Sequence, residues 1–599
     1  MNMKTHIKIF ASVLAAAAVM SLSSCTEEGF FDVKAPSAAD ESNVYSNYTL
    51  SEYAIFSIAE TFGHTNNYRG RFLPWYGFNT DVEWYNGTNT TGKQLAQYEP
   101  TTNNTQMNLD NGPYNEMFVG IERANLAIEG LRAYGDVENQ PDMAYLLGEA
   151  LTLRAMIYYD LTKAWGDVPA RFEPINSENI FMAKSSRDTI YVQILADLEE
   201  AIPYLYWPNE SSQTATTDRI NKAFACGLYA RIALAASGYA LRPEDGTVGT
   251  GNLGSVRKTN EPALQAEVLY PKALGYLQEV INSGTANLVS SYEQLWRDFN
   301  NYDLTAGKEV LYSIPFSDGR GRWNYHFAGS HEGSSYIGTA ANRGGDVGPV
   351  PSLYFKYGAQ DVRRDVSCVN FDWIEDSQEP AGIDMWYFGK YRFEWMETQP
   401  YGGGNDDGLK PVVMRYSDIL LMAAEIANEL GQPDVAKNYL LQVRRRAYAG
   451  NEAVADSYVN SLSGKDAIFN AIVDERALEF VGEFLRKADL IRWNLLTAKL
   501  NEAKADMNAI AQRTDEVYYS YSEDGMSLNF WGLDPAQSGI SPEGSQWILA
   551  EDYFQNFDTE LIDAIYQTED PNTRQFWPIF DITLTNSQGY LVNDYGYGN

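Results

Sequence analysis

This 599-residue sequence predicts a mostly α-helical protein, a superhelix of helix pairs with a loop-rich face, and three observations carry that prediction. Apolar residues recur at the 3.6-residue helical period in one segment after another. The segments are short and separated by turn signals such as Gly431-Gln432-Pro433, so that neighbours fold back on one another. No alternation of strand and helix is visible, which sets the chain apart from an α/β enzyme. Composition agrees: a chain that is 44% apolar can bury a large core, which excludes intrinsic disorder, and 3 Cys do not make a disulfide scaffold. With 80 acidic and 45 basic side chains the net charge is −35. There is no surplus of Lys and Arg to release counterions from phosphates, which argues against nucleic acid or an anionic membrane as the main partner.

Taken in chain order, the first segment is an address. Lys4 and Lys8 precede an apolar run, Ile9 to Met20 (IFASVLAAAAVM), that is too short to anchor stably across a bilayer. Leu22-Ser23-Ser24-Cys25 follows and looks like a bacterial lipobox, with Cys25 the lipid attachment site. One acyl chain holds weakly, at about 0.8 kcal/mol per buried CH₂, so stable anchoring takes several. The helical segments expected next are Pro113 to Leu131 and Met143 to Ala164, then one carrying Ile190, Ile194, Leu198 and Ile202 on a single stripe. Asn221 to Ala235 and Pro271 to Ile281 come after it. Met422, Ala423, Ile426 and Leu430 mark another helix, stopped by the Gly-Gln-Pro turn before Ala436 to Arg446, and Ala467 to Val481 completes the set. Two short helices around such a turn, with small Ala residues at the contact, resemble a tetratricopeptide hairpin. Between the helices, Asp81 to Thr91, Ser317 to Asp346, Tyr401 to Gly408 and Phe530 to Trp547 lack helical periodicity and mix aromatics with Asn, Asp and Gly. Loops of this length in a compact body are usually functional or disordered, and their aromatics favour function.

Several blocks carry a family resemblance. Arg154-Ala155-Met156-Ile157-Tyr158-Tyr159-Asp160-Leu161, running on to Trp165-Gly166-Asp167-Val168-Pro169, resembles a signature of the SusD/RagB family. So do Arg415-Tyr416-Ser417-Asp418-Ile419-Leu420-Leu421-Met422-Ala423-Ala424-Glu425, Asp474-Glu475-Arg476-Ala477-Leu478-Glu479-Phe480 and Arg486-Lys487-Ala488-Asp489-Leu490-Ile491-Arg492-Trp493. The lipobox, Phe30-Phe31-Asp32 and Trp577-Pro578-Ile579 stand in the family's order, so the resemblance spans nearly the whole chain. It departs at the C-terminus, where only Asn586-Ser587-Gln588-Gly589-Tyr590 is left of a longer run. The resemblance implies a surface-exposed, lipid-anchored outer-membrane protein without catalysis or cofactor. Such a protein captures an oligosaccharide or polysaccharide and hands it to a SusC-like TonB-dependent transporter. It also implies a division into 1–24 (signal peptide), 25–240 (first helical repeats), 241–410 (loop-rich, ligand-binding) and 411–599 (further repeats and tail). Arg154, Asp160, Asp474, Glu475, Arg476, Glu479 and Arg492 fall in strongly helical segments and read as structural ion pairs that cross-link repeats.

Glycan contacts are therefore expected from the loops. A pyranose offers an apolar C–H face and a ring of hydroxyls, so its binder needs flat aromatics beside amides and charges. Trp84, Tyr85 and Asn86 give that composition, and Trp323, Asn324 and Tyr325 repeat it, flanked by Asp318, Arg320 and Arg322. The polar, Gly-containing context predicts that Trp84 and Trp323 are exposed; Trp75, Trp373 and Trp386 are weaker candidates. The net charge disfavours polyanionic glycans unless a local basic patch at Arg320, Arg322 and Arg343 overrides it, so a neutral oligosaccharide is the expectation.

Two alternatives remain open on sequence. One is peptide capture of the RagB kind. The other is a surface glycoside hydrolase, for which Asp81 and Glu83 are the first carboxylates to consider. Other chemistries find no support: His64, His326 and His331 lack zinc-site spacing, and there is no Walker loop or nucleophile elbow. Gly249-Thr250-Gly251-Asn252-Leu253-Gly254 matches G-x-G-x-x-G without a preceding strand and reads as a loop. Asp298 to Asp303 and Asn405-Asp406-Asp407 carry oxygen ligands but match no EF-hand, so no metal is expected.

Overall fold

The computed structural model describes residues 40–598 apart from 66, 71, 86, 88, 318, 339–341, 346 and 399–405. The leader, Cys25 and Phe30-Phe31-Asp32 thus lie outside the described residues, as do two candidate ligand residues, Asn86 and Asp318.

The longest helices among the described residues form the body: α1 (Tyr48–Glu60), α2 (Pro113–Tyr134), α3 (Pro141–Trp165), α4 (Arg187–Ala201), α5 (Lys222–Ser237), α6 (Ala266–Ser283), α7 (Tyr416–Glu429), α8 (Pro433–Ala447), α9 (Lys465–Glu479) and α10 (Leu496–Ala511). Their ends follow local chemistry. Proline occupies the first turn of α2, α3 and α8, where its missing N–H costs nothing. Asn47, Ser186 and Asn221 cap α1, α4 and α5 by accepting N–H bonds from Leu50, Asp188 and Phe224. Gly431, at φ +72°, makes the left-handed turn from α7 into α8. Helix α6 starts at Ala266, ahead of the expected Pro271, which it carries inside its second turn.

Neighbouring helices pack in pairs, α2 on α3, α3 on α4, α5 on α6 and α7 on α8, as the helix-pair reading predicts. One apolar core runs between these pairs. A second, rich in Trp, Tyr and Phe, lies beneath the loops and the C-terminal segments.

Among the described residues there are six small sheets, some local hairpins and some joining distant pieces of chain. Strand β1 (Glu83–Trp84) pairs with Gly348–Pro349, and β2 (Ala240–Pro243) pairs with β3 (Gly254–Arg257). Val310–Ser313 pairs with Val412–Arg415, which carries Arg415 up to Glu309. Val517–Tyr521 is the centre of a three-stranded sheet between Leu528–Trp531 and Ile548–Ala550. No helix among the described residues is long and apolar enough to cross a membrane.

The motif charges are buried and paired. Glu479 contacts Arg363 and Arg415 at 2.9 Å each and Arg446 at 2.5 Å, while Arg415 also reaches Glu309 and Glu483. A second cluster joins Asp418 to Arg231 and Arg476, and Asp489 to Arg476 and Arg492. Arg154 on α3 bonds Asp197 on α4, and Asp160 bonds Tyr68 and Lys163. Two motif residues are exceptions: Asp474 on α9 is exposed, and Lys487 is buried with no ion pair among the described residues, its ammonium lying over the rings of Tyr98 and Tyr76.

The G-x-G-x-x-G loop does hold an anion, and the anion belongs to the chain. The N–H groups of Gly249, Thr250 and Gly251 donate to the Asp594 carboxylate at 2.8–3.1 Å, and Lys184 bonds it at 2.6 Å. Beside it the Tyr595 hydroxyl donates to Asp167, which also pairs with Arg187. The last residues thus close the ring of contacts between the first helices and the β2–β3 hairpin.

Candidate ligand-binding cleft

The long loops are held by struts, and the struts decide which side chains are presented. Asp81 makes a two-pronged bond with Arg486, at 2.8 and 2.7 Å. Burial works to raise its pKa, but the guanidinium charge outweighs burial and holds it below the ordinary value. Glu83 is fully buried and accepts from the Thr80 hydroxyl and the Gly482 N–H. Burial pushes its pKa up to about 7. Both suspects for hydrolysis are therefore engaged inside the protein, and neither lines the cleft.

The second loop, from Gly319 to Ala328, is pinned by Asp406 and Asp407. Asp406 receives Arg69, Arg320 and the Gly321 N–H. Asp407 receives the Tyr325 and Leu409 N–H groups, and burial raises its pKa to about 6. The Asp298 and Asp303 carboxylates close on Lys308 at 3.3 and 2.5 Å, so an ammonium stands where a cation would have bound. Among the described residues no group of three or more His, Cys, Asp or Glu could hold a metal.

The exposure expected of Trp84 and Trp323 is overturned. Trp84 is 2% exposed, because β1 pairs with Gly348–Pro349 and turns the indole inward near Phe557. Gly348 faces it across the pair, and no side chain fits there: a Cβ would lie 1.7 Å from the Trp386 carbonyl oxygen. Trp323 is 3% exposed, packed edge-on to Phe327, Tyr391 and Phe484. Asn324 is buried as well, donating to Asn300, while Trp373 and Trp386 are core residues. Burying an indole removes about 150–250 Å², worth about 4–6 kcal/mol at roughly 25 cal/mol/Å², which outweighs the polar company of its neighbours in sequence. Arg320 is a strut as well, spent on Asp406 and the Gly63 carbonyl.

Trp75 and Tyr85 do meet in one cleft of about 250 Å³, walled by Phe78, Asn89, Gln106, Arg322 and His326 among others. Trp75 sits on the short helix Leu73–Gly77, opened by Pro74, and is partly exposed. Its ring centroid is 5.1 Å from that of Tyr85 at a 51° tilt, and Phe78 packs edge-on behind it at 5.5 Å. Gly92 leaves room for the indole: a Cβ there would stand 2.2 Å from the ring. The Asn79 side chain, on a backbone at φ +56°, accepts the Tyr85 N–H and fixes the second ring. Opposite them, Arg322 and His326 close over Gly70, while Tyr325 stands beside the cleft with the guanidinium carbons of Arg322 and Arg343 at 5.6 and 5.1 Å from its ring centroid. Sequence reasoning missed Phe78, Gln106 and His326, since residues 65–106 and 322–347 join only through tertiary contacts that no periodicity announces.

A helical-repeat scaffold cross-linked by buried arginines, with its cleft built from connecting loops, is the class of protein these features define. The chain belongs to the SusD/RagB family: residues 373–597 match a model described as the SusD family, and residues 29–234 match one described as starch-binding and associating with the outer membrane. Among curated proteins it is 26% identical over 423 residues to SusD-like protein P2 of Formosa agariphila, covering 66% of this chain and 74% of that one. Among solved structures it resembles a SusD homolog from Bacteroides thetaiotaomicron, with TM-score 0.67 and 20% identity, covering 79% of this chain and 90% of that one. It also resembles surface glycan-binding protein A of the same organism in complex with laminarihexaose, with TM-score 0.60 and 19% identity over 91% and 99% of the two chains. At these identities the shared property is the fold.

Proposed function

We propose that this protein is a cell-surface glycan-binding lipoprotein, anchored through Cys25, that captures oligosaccharide without catalysis and passes it to a SusC-like TonB-dependent transporter. The observation that carries the reading is the Trp75–Tyr85 pair, two fixed and partly exposed rings beside an amide and a guanidinium in one cleft. That is the surface a sugar ring needs: an apolar face to stack on and polar groups at its edge. The complex of the structural relative with laminarihexaose and the family description as starch-binding support the ligand class. The outer-membrane description and the lipobox support the location.

The test is calorimetry of residues 26–599 against neutral, acidic and host-type glycans, with reducing ends assayed in the same samples. Saturable heat without new reducing ends is expected, and the double variant Trp75→Ala, Tyr85→Ala should weaken binding at least tenfold while the circular dichroism stays helical. New reducing ends would make it a hydrolase. Heat with peptides and none with glycans would favour peptide capture.

A further inference from the structure

Among the described residues Arg322 is the one guanidinium lining the cleft, and its surroundings set it apart from Arg69 and Arg320. Arg69 and Arg320 are both spent on Asp406. Arg322 makes no hydrogen bond or salt bridge with any described residue; its Nε is buried without an acceptor, and its contact is the face of Tyr325. Among the described residues the charges acting on it are Arg69 and Arg320, which repel it, and Asp406, whose oxygens are already taken. Burial first, and then the Arg69 charge, draw its pKa below the usual guanidinium value. A buried donor on a charged group without an acceptor is costly, so an arrangement that keeps one is accounted for by a partner that arrives with the ligand.

We propose that the cleft is selective for an acidic sugar, with Arg322 receiving the carboxylate while Trp75 and Tyr85 stack on the ring that carries it. This rests on the glycan-binding reading above and specifies its ligand class. The planar fork of a guanidinium matches a carboxylate in two parallel bonds, a geometry that a hydroxyl cannot reproduce. At about 250 Å³ the cleft is smaller than the roughly 300 Å³ at which ligand pockets usually begin, so it grips one unit of a chain, the unit that bears the charge. The protein's overall charge of −35 repels such a ligand at long range. Within a Debye length of about 8 Å at physiological salt, the local arginine decides.

The experiment uses three acidic tetrasaccharides, from polygalacturonate, alginate and hyaluronan, each paired with its carboxyl-reduced neutral counterpart, beside a panel of common neutral oligosaccharides. Calorimetry on the intact soluble chain should find at least one acidic member bound tenfold or more tighter than its reduced partner, an advantage that shrinks between 50 and 500 mM salt. Arg322→Gln should erase that advantage, bringing the acidic member of the pair and its reduced partner to equal affinity. Arg322→Lys should restore only part of it, because an ammonium lacks the fork. Equal affinity of both members of every pair, or an acidic preference untouched by Arg322→Gln, overturns the proposal and leaves glycan capture standing. Binding confined to the neutral panel does the same. Silence of every saccharide overturns both readings together.

Discussion

Glu83 shows how far one buried residue can depart from what its neighbours in sequence suggest. With its pKa raised from 4.5 to about 7, it binds a proton in the folded state that it has lost in the unfolded state over that interval. Stability therefore falls as pH rises from about 4.5 to about 7, at up to roughly 1.4 kcal/mol per pH unit. Glu83→Gln, which mimics the neutral form, should be the more stable protein at pH 8, by on the order of 3 kcal/mol, and should match the parent below pH 4.5. Urea midpoints at the two pH values check this, and equal midpoints at pH 8 would show that the carboxylate is solvated. At this scale the sequence is a mixed guide. It named Trp75 and Tyr85 as ligand candidates by their aromatic character, and both line the cleft, whereas it placed Trp84 and Trp323 outside because their polar neighbours were the only context it offers. What turns Trp84 inward is pairing with Gly348, which lies 264 positions away and leaves no local trace.

Among elements, helices were legible and strands were not, for the same physical reason. A helix satisfies its hydrogen bonds within itself and writes its buried face into a local period, so α2, α3, α5 and α9 fall within a few residues of their expected limits. Two-residue strands are too short to show a period, and one of them, Glu83–Trp84, takes its partner from more than 250 positions away. The motif charges act at this scale too, tying α7, α8 and α9 through Glu479 and its arginines. Burial opposes ionisation of Glu479, but Arg446, Arg415 and Arg363 outweigh it and hold its pKa far below 4.5. Its contribution to stability is thus present above pH 4.5 and lost as acid approaches that depressed value, opposite in sign to Glu83. Glu479→Gln leaves three buried guanidinia undercompensated and should cost about 3–5 kcal/mol in urea unfolding at pH 7. A loss below 1 kcal/mol would mean that the remaining carboxylates share the load.

For the molecule as a whole, the tail is the fastening. Asp594 satisfies three backbone N–H groups and a buried lysine at once, so Asp594→Ala strands a charge at Lys184, which is under 10% exposed. That variant should expose the loop between β2 and β3 to limited proteolysis while α7 to α9 stay protected. An unchanged cleavage pattern would show that the hairpin stands alone. The same fastening fixes the order of events during synthesis. Its two halves lie about 345 residues apart in the chain, so a ribosome making roughly 5–20 residues per second must work on for at least ~17 s after the glycine loop is made before its carboxylate exists. Through that interval the contacts of Asp594 with the glycine loop and Lys184 are unmade, which gives any machinery that handles loosely folded chains a window that shuts only once Asp594 is in place.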